Sequence, residues 1–270
     1  MVKRLPLNEL GRDFVVGDLH GAYESLDRAM CAAQFDPTVD RLLSVGDLID
    51  RGADSARALE YLRQPYFHFI CGNHDYAFLR MKPQDVALMA RINFNQLSWA
   101  AGLSQRAIGE LQVAMSACSL VMEVETRTGV LGLVHADVPA GMSWPEFVDS
   151  LEANNLHTLA VAMEGRLRAM DVDAAGVAGI DRVIVGHTPM YGGPVRRGNV
   201  WMIDTGAIYR QDGVIVSGFD VVKGMLSLIN VEASDQEIEC GACSDDGVLI
   251  VDRRLEMAGC NDSPRERMSA

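Results

Sequence analysis

The sequence lacks any long apolar run. No stretch approaches the roughly 18 consecutive apolar residues that a membrane-spanning helix requires, and residues 1–6 do not form the apolar core of a signal peptide. These two absences predict a protein that is neither inserted into a membrane nor exported. We therefore expect the chain to work in the cytoplasm.

Cysteine is sparse and shows no disulfide framework. The six cysteines lie at positions 31, 71, 118, 240, 243 and 260 of a 270-residue chain. Without an export signal, this scatter predicts reduced thiols in a cytoplasm. Cys240 and Cys243 have the spacing of half a zinc site, but no second pair accompanies them. We interpret that spacing as accidental and leave the role of the pair open.

Basic side chains are outnumbered by acidic ones. The chain has 24 Lys and Arg against 37 Asp and Glu, a formal net charge of −13. An acidic balance of this size disfavours a surface for nucleic acid or for an anionic membrane, so we expect neither as a partner. Several of the acids lie in the polar motifs described below, where bound metal ions would neutralise them.

Three common catalytic motifs are also missing. The sequence contains no Gly-x-Ser-x-Gly, no P-loop and no His-Glu-x-x-His. This absence argues against catalysis by a nucleophilic serine or cysteine. Chemistry in this chain must be sought in other side chains.

What the first third of the chain does contain is an alternation of apolar strands and helices. Strands are predicted over 14–16, 41–45 and 66–71. The helices between them are predicted over 23–34 and 55–63, with Asp54 as the N-cap of the second. Two further helices are predicted later in the chain, over 144–152 and 156–170. The polar motifs that follow the three strands are 29 and 26 residues apart, the length of βαβ units. The pattern predicts an α/β protein with a parallel sheet and crossover helices.

The remainder of the chain divides into three parts. Residues 76–118 have helical composition and form an insertion near the polar motifs, with breaks expected at a proline and a glycine. A hairpin over 120–134 opens a second sheet. We assign residues 1–232 to one catalytic domain and 233–270 to a C-terminal extension that is partly disordered, with one further strand at 248–251.

Five apolar strands each end in a short polar motif. The motifs are Gly17-Asp18-Leu19-His20-Gly21, Gly46-Asp47-Leu48-Ile49-Asp50-Arg51-Gly52, Gly72-Asn73-His74-Asp75, Val134-His135-Ala136-Asp137 and Gly186-His187-Thr188-Pro189. In α/β proteins the carboxyl ends of neighbouring strands meet at one edge of the sheet, where ligands bind. We therefore expect these side chains to lie together.

The residue types in these motifs are metal ligands. The candidates are Asp18, His20, Asp47, Asn73, His135 and His187. Carboxylate, amide and imidazole ligands together suit two divalent ions of intermediate hardness, so manganese or iron fits better than calcium or a thiolate-bound zinc, while nickel, magnesium and zinc remain open. Two such ions about 3.5 to 4 Å apart activate a bridging water for in-line displacement at phosphorus. The ligand set therefore predicts hydrolysis of a phosphate ester.

Three further motif residues have the chemistry to complete such a site. Arg51 can hold phosphate oxygens in a bidentate manner. His74, next to Asn73, can protonate the leaving alkoxide, and Asp50 can orient it and favour its protonated form. We expect Asp75 and Asp137 to support the site or cap helices without binding metal, and His68, between two phenylalanines, to be structural.

These motifs, with the later Ile203-Asp204-Thr205-Gly206-Ala207, resemble those of the calcineurin-like metallophosphoesterases, in particular the bacterial and phage serine/threonine protein phosphatases of the lambda-phosphatase type. The resemblance covers about residues 12–231. It implies a two-sheet β-sandwich flanked by helices, with two metals at the carboxyl ends of the strands.

The resemblance also implies a role for each motif residue. Its ligands are Asp18, His20 and the bridging Asp47 for one metal, and Asp47, Asn73, His135 and His187 for the other. His74 is the general acid paired with Asp50, and Arg51 holds the phosphate beside Asn73. The family has a second phosphate-binding arginine, for which Arg166 is the best match here. The aromatic residue usual upstream is absent, so Arg168 remains an alternative.

The resemblance implies a phosphatase acting on phosphoserine and phosphothreonine in proteins, with phosphotyrosine and small aryl phosphates as further substrates. One rival is a symmetrical dinucleoside tetraphosphate hydrolase, which shares the first and third motifs. That group typically has Ala before the arginine of the middle motif, whereas this chain has Asp50. A rival of another class is a non-catalytic binding protein on the same fold, but degeneration would remove ligands and all six are present.

Overall fold

The structure is a computed structural model and describes residues 2–92, 96–209, 214–216, 220–222, 224–241 and 247–252. The strands are β1 Val2–Leu5, β2 Asp13–Val16, β3 Arg41–Ser44, β4 Phe67–Phe69, β5 Val121–Thr126, β6 Gly129–Val134, β7 Arg182–Val185, β8 Val195–Arg197, β9 Val200–Met202, β10 Val214–Val216, β11 Asp220–Val222, β12 Leu226–Asn230 and β13 Val248–Val251. The α-helices are α1 Tyr23–Ala32, α2 Ala58–Leu62, α3 Asn73–Arg80, α4 Pro83–Ala90, α5 Gln105–Met115, α6 Trp144–Glu152, α7 Leu156–Glu164 and α8 Asp235–Cys240.

Two mixed sheets make up the centre of the molecule. In the described part of the chain, one sheet has the strand order β1-β5-β6-β7-β9-β8 and the other has the order β13-β12-β2-β3-β4. Strands β2, β3 and β4 are parallel neighbours, as the sequence predicts, and β12 joins β2 antiparallel. The predicted hairpin is β5 and β6. Strand β7 continues this sheet in parallel with β6.

The sheets pack face to face because successive side chains of a strand point to opposite faces, and both faces of these strands are apolar. On β2, Val15 points into the layer between the sheets, where it meets residues such as Leu133 and Ile184 of the other sheet. Its neighbours Phe14 and Val16 point the other way, into a core shared with the helices. Strands of the first sheet bury their outer face under α6 in the same manner. The structure therefore confirms the predicted two-sheet sandwich flanked by helices.

The helix predictions are correct in place and less accurate at their ends. Helix α6 has the predicted bounds, and Pro83 begins α4 at its first turn. The segment predicted as one helix from residue 55 begins as a 3₁₀ helix at Ala53, whose N-cap is Gly52, so the expected cap at Asp54 was wrong. Helix α7 ends at Glu164 and not at residue 170, because Gly165 adopts an extended conformation.

The described part of the predicted C-terminal extension packs on the second sheet. Helix α8 precedes β13, which pairs in parallel with β12 and confirms the strand expected there. Asp252, just after β13, accepts a 2.7 Å hydrogen bond from Arg12, which also pairs with Asp40. All three side chains are buried. The boundary at residue 232 and the partial disorder of the extension stay predictions, because residues 242–246 and 253–270 lie outside the described residues.

A lysine–histidine contact joins the edge strands of the two sheets. Lys3 Nζ on β1 lies 2.9 Å from His68 Nδ1 on β4, which agrees with the structural role expected of His68. Burial, with the nearby charges of Lys3 and Arg41, lowers the pKa of His68 to about 4. The folded protein therefore keeps this imidazole neutral, so that it can accept a hydrogen bond from the lysine.

We expect His68 to make stability depend on acidity. The pKa is depressed on folding, so below its ordinary value the unfolded chain binds a proton that the folded chain refuses, and stability falls as the pH drops. The stability advantage of the wild type over His68→Gln should shrink by about 1 to 2 kcal/mol between about pH 7 and about pH 4.5, a value reduced because the ring is partly exposed. Urea unfolding at both pH values measures it. An advantage that does not change with pH would contradict this role.

Among the described residues, no helix is long and apolar enough to cross a membrane.

Candidate active site

The five polar motifs meet at one end of the sandwich. Asp18 and His20 follow β2, Asp47 and Asp50 follow β3, and Asn73 is the first residue of α3, just beyond β4. His135 follows β6 and His187 follows β7 in the other sheet. The structure thus brings the predicted side chains of both sheets together at the carboxyl ends of their strands.

The backbone of the site is held in conformations that ordinary residues avoid. The φ angles of His20, Asp47, Asp50, Arg51 and His187 are 43°, 50°, 72°, 66° and 69°, all in the left-handed region. Such angles are uncommon outside glycine and persist where surrounding contacts enforce them. Sharp turns after each strand therefore direct these side chains inward.

Two glycines let the ligand carboxylates approach the backbone. A Cβ at Gly72 would lie 2.1 Å from Asp47 Oδ1, and a Cβ at Gly186 would lie 2.0 Å from Asp18 Oδ1. Neither space admits a side chain, which accounts for the glycine in each of these motifs. The site is thus packed around its carboxylates and not merely lined by them.

Backbone carbonyls fix the orientation of two histidines. His20 Nδ1 lies 2.8 Å from Ile49 O, and His135 Nδ1 lies 2.8 Å from Val45 O. A carbonyl oxygen only accepts, so each Nδ1 carries the hydrogen and each Nε2 has a free lone pair. Those Nε2 atoms lie 3.3 Å and 3.6 Å from Asp47 Oδ2. Asp47 therefore sits between two imidazoles that are oriented as ligands.

The remaining donors converge on the same point. Asn73 Oδ1 lies 3.0 Å from His135 Nε2 and 3.1 Å from His187 Nδ1. Asp47, His135 and His187 present ligand atoms within 4.8 Å of one another, and Asp47, His20 and His74 form a second such group. Asp47 belongs to both groups, which is the position expected of a bridging ligand.

Asp18 is placed differently from the other predicted ligands. Both of its carboxylate oxygens lie 3.1 Å from the backbone N–H of His187, and it belongs to neither of the two groups above. It is buried, and burial together with the charges of Asp204 and Asp47 raises its pKa well above the usual range. Its role as a metal ligand stays a prediction.

The protonation states and lone pairs of the site residues suit the binding of cations. Burial lowers the pKa of His135, and burial, with the repulsion that a protonated His135 or the nearby Arg166 would exert, lowers that of His187 to about 3, so both rings are neutral, the form that binds metal. Burial alone would raise the pKa of Asp47, but the imidazoles of His135 and His20 outweigh it and keep the carboxyl ionised. The Nε2 atoms of His20 and His187 are buried without a hydrogen-bond partner. Buried carboxylates and unpartnered lone pairs are the donor set of a metal centre.

His74 also contacts Asp50 and Arg51, beside the converging ligand atoms. His74 Nδ1 lies 2.8 Å from Asp50 Oδ2, and Arg51 Nη2 lies 3.3 Å from His74 Nε2. Because a guanidinium only donates, Nε2 accepts from Arg51, and Nδ1 carries the hydrogen toward Asp50. Arg51 Nε is buried without a partner, and the Arg51 guanidinium lies 6.0 Å from the ring of Tyr209. Asp50, His74 and Arg51 are thus together, as the sequence predicts.

A cavity of about 550 Å³ opens beside Arg51. Its lining includes Arg28, Asp54, Gln96 and Tyr209. The lining of the cavity thus has both charges and an aromatic ring.

The two candidate arginines after the fourth motif differ clearly. Arg168 is buried, and it donates to Asp137 Oδ1 at 2.9 Å and to Asp173 Oδ2 at 3.0 Å. Arg166 is exposed and donates to Thr188 Oγ1 at 3.0 Å, next to His187. The guanidinium of Arg168 is therefore occupied by ion pairs within the fold, whereas Arg166 lies at the edge of the site. Its contact with phosphate stays a prediction.

Asp75 supports the site from behind, as expected. Its two oxygens accept 3.0 Å hydrogen bonds from the backbone N–H groups of Leu48 and Gly72, which belong to two different motifs. It also caps the first turn of α3. Asp75 therefore couples the loop that carries Asp47 to the loop that carries Asn73.

Two site residues have no assigned role in the sequence analysis. Asp204 is buried beside Asp18, and burial raises its pKa. Asp204 lies in the motif Ile203-Asp204-Thr205-Gly206-Ala207, so the sequence already indicated that it could belong to the site. Trp99 donates through its indole N–H to Asp50 Oδ1 at 2.8 Å. Nothing in the local sequence signals that contact, because it depends on the fold of the helical insertion.

This chain has a two-sheet sandwich that gathers carboxylates and neutral imidazoles at its strand ends. These features assign it to the class of metal-dependent phosphoesterases. The model of the calcineurin-like phosphoesterase family matches residues 14–212. The chain belongs to this family, which uses a binuclear centre of divalent metal ions, and it is a hydrolase of phosphate esters.

Relatives within the family carry two kinds of name. The chain is 32% identical to serine/threonine-protein phosphatase 1 of Salmonella typhimurium, over 73% of this chain and 87% of that protein. It is 29% identical to the symmetrical bis(5'-nucleosyl)-tetraphosphatase of Methylococcus capsulatus, over 77% of this chain and 75% of that one. A solved structure provisionally assigned as a diadenosine tetraphosphatase aligns with a TM-score of 0.56 at 20% identity, over 84% of this chain and 91% of that one. That likeness supports the fold alone.

Proposed function

We propose that this protein removes phosphate from phosphoserine and phosphothreonine in proteins, and also from phosphotyrosine and small aryl phosphates. The observation that carries the proposal is the 2.8 Å contact between His74 Nδ1 and Asp50 Oδ2, beside the converging ligand atoms. The alkoxide of serine or threonine is a poor leaving group and needs a proton as it departs. A histidine paired with a carboxylate supplies it.

The proposed metal ligands are the six predicted from the sequence. Asp18, His20 and Asp47 would hold one ion, and Asp47 with Asn73, His135 and His187 would hold the other. We propose manganese, because this mixture of carboxylate, amide and imidazole donors suits a metal of intermediate hardness. Two bound ions supply charge to neutralise the phosphoryl oxygens and a water of lowered pKa.

The remaining steps fall to side chains of the chain itself. Arg51 of the second motif and Arg166, which contacts Thr188 of the fifth motif, hold the phosphate oxygens, with Asn73 beside them. For this role His74 Nε2 must first take up a proton in place of the hydrogen bond from Arg51; it then gives that proton to the leaving oxygen, while Asp50 keeps the ring in place through Nδ1. The cavity beside Arg51 receives the neighbouring part of the protein substrate.

The second candidate function is hydrolysis of a dinucleoside tetraphosphate. The Methylococcus capsulatus relative of that name covers as much of the chain as the Salmonella typhimurium phosphatase does, and the cavity beside Arg51 could take a nucleotide. Asp50 favours the phosphatase, because a nucleotide is a good leaving group and needs no such acid.

A direct comparison of substrates tests the proposal. Metal-free protein is reloaded with Mn²⁺ and given a phosphoserine peptide or diadenosine tetraphosphate, with Asp47→Asn as the blank. The proposal predicts phosphate release from the peptide that vanishes in the variant. Preferential cleavage of the dinucleotide would replace it by the second candidate, and no turnover of either compound would reject both.

We expect Arg51→Lys to lower kcat/KM for the phosphopeptide by about 10- to 100-fold. Lysine keeps the charge but cannot hold two phosphate oxygens at once. Arg57→Lys is the matched control, because Arg57 binds Asp27 and Glu60 away from the motifs. Steady-state kinetics of the three proteins give the comparison. Equal kcat/KM values for Arg51→Lys and the wild type would remove Arg51 from phosphate binding.

We also propose that the protein works in the cytoplasm. The four cysteines in the described part of the chain, Cys31, Cys71, Cys118 and Cys240, carry free thiols, as expected of a reducing compartment. Cys243 and Cys260 lie outside the described residues.

A further inference from the structure

The helical insertion reaches the catalytic pair through one side chain. Trp99 lies on a 3₁₀ helix, Ser98–Ala100, and its Nε1 donates to Asp50 Oδ1 at 2.8 Å. The other oxygen of the same carboxylate, Oδ2, lies 2.8 Å from His74 Nδ1. Asp50 is therefore held between two N–H donors, one from the imidazole and one from the indole.

The same segment also holds the backbone at Asp50 and Arg51. Both residues have left-handed φ angles, 72° and 66°, which non-glycine residues adopt only where contacts enforce them. The backbone N–H of Arg51 donates to Gln96 O at 3.1 Å. The insertion thus fixes this turn at the main chain and at the Asp50 carboxylate.

The segment around Trp99 is anchored in the hydrophobic core. Leu97 and Ala100, on either side of Trp99, are almost fully buried in the core that the helices share with the second sheet. The Trp99 ring packs against Phe78 of α3, with centroids 5.7 Å apart. Since α3 begins at Asn73 and includes His74, the indole rests on the same helix whose imidazole it helps to align.

We propose that Trp99 is a positioning residue for the general acid. Its N–H holds the Asp50 carboxylate in the orientation that keeps His74 Nε2 directed at the leaving oxygen. This inference rests on the proposed phosphomonoesterase function. In that reaction the P–O bond breaks with its electron pair on the leaving oxygen, which takes the proton from His74 Nε2. Water adds its oxygen to phosphorus and releases a proton to the solvent, and His74 Nε2 takes up a proton from the solvent before the next turnover.

The test compares two small esters that differ in their need for a proton. Phenyl phosphate has a poor leaving group, and dinitrophenyl phosphate has one that departs as a stable anion. With the Mn²⁺-loaded protein, Trp99→Phe should lower kcat for phenyl phosphate about tenfold and change kcat for dinitrophenyl phosphate less than about twofold. Trp144→Phe is the matched control, because Trp144 Nε1 donates to Glu123 Oε1 at 2.9 Å outside the motifs. It should alter neither rate.

Two further variants keep the test decisive. Replacing Trp99 by benzothienylalanine, which has the shape of tryptophan with sulfur in place of N–H, should reproduce the selective loss even if Trp99→Phe does not fold. In an Asp50→Ala background, Trp99→Phe should cause no further loss with phenyl phosphate, because its effect passes through Asp50. Equal losses on both esters, no loss at all, or a full additional loss in the Asp50→Ala background would overturn the proposal. No protein substrate is used, so failure to cleave a phosphopeptide is a separate result.

Discussion

Asp47→Asn should lower kcat for phosphate-ester hydrolysis by about 10³-fold or more. Asp47 is the only described residue shared by the two groups of converging ligand atoms, and its Oδ2 lies between His20 and His135. An amide keeps the shape but loses the charge that holds cations, and the several kcal/mol supplied by metal ions at a phosphoryl group would be lost with them. Steady-state kinetics at saturating Mn²⁺ give the measurement.

Asp13→Asn is the control for this loss. Asp13 is also a buried aspartate on the second sheet, but it lies at the start of β2 and pairs with Arg41, away from the motifs. Its variant should keep the wild-type kcat. If Asp47→Asn retained more than about a tenth of the wild-type rate, the assignment of Asp47 as the bridging ligand would be wrong.

His74→Asn should lower kcat for a phosphoserine peptide by about 10²- to 10³-fold. The variant removes the proton that the departing alkoxide needs, while the proposed metal ligands and Arg51 remain. Dinitrophenyl phosphate, whose leaving group needs no proton, should be hydrolysed within a few-fold of the wild-type rate. Parallel assays of both substrates on one preparation measure the ratio directly.

The second substrate is the internal control for His74→Asn. If the variant loses both activities to the same extent, His74 acts on the metal centre or on folding and not as an acid. That outcome is a real alternative, because His74 belongs to one of the two groups of converging ligand atoms. Retention of full activity on the phosphopeptide would exclude both roles.

The strand order within the first third of the chain was predictable because it follows from local sequence. Strands β2, β3 and β4 are apolar runs separated by helix-length segments, and such units pair in parallel. Strand β1 was missed, because Val2-Lys3-Arg4-Leu5 has little apolar signal and pairs with β5 more than 100 residues away. Edge strands of this kind are specified by their partner and not by their own composition.

The positions of the five motifs at the sheet edges were predictable for a different reason. Each motif follows an apolar strand directly, so its place at the carboxyl edge follows from chain direction alone. What the sequence does not contain is the orientation of each side chain. The hydrogen bonds from His20 to Ile49 O and from His135 to Val45 O, which fix their tautomers, are set by turns after β2, β3 and β6.

Contacts made by the helical insertion were the least predictable. Trp99 reaches Asp50 only because α3 and the 3₁₀ helix at Ser98–Ala100 pack together. The choice between Arg166 and Arg168 likewise needed the structure, which places Arg168 in ion pairs with Asp137 and Asp173. No periodicity in the sequence indicates which side chains Trp99 and Arg168 contact.

The most direct test of the account is the number of metal ions bound. Equilibrium dialysis of the metal-free protein against Mn²⁺, with metal analysis per chain, should give two tightly held ions in the wild type and fewer in Asp47→Asn. Asp13→Asn should match the wild type. Two ions, with loss confined to Asp47→Asn, are the result predicted by a site in which one carboxylate joins two ligand groups. Binding of no ion by the wild type, or of two by Asp47→Asn, would contradict it.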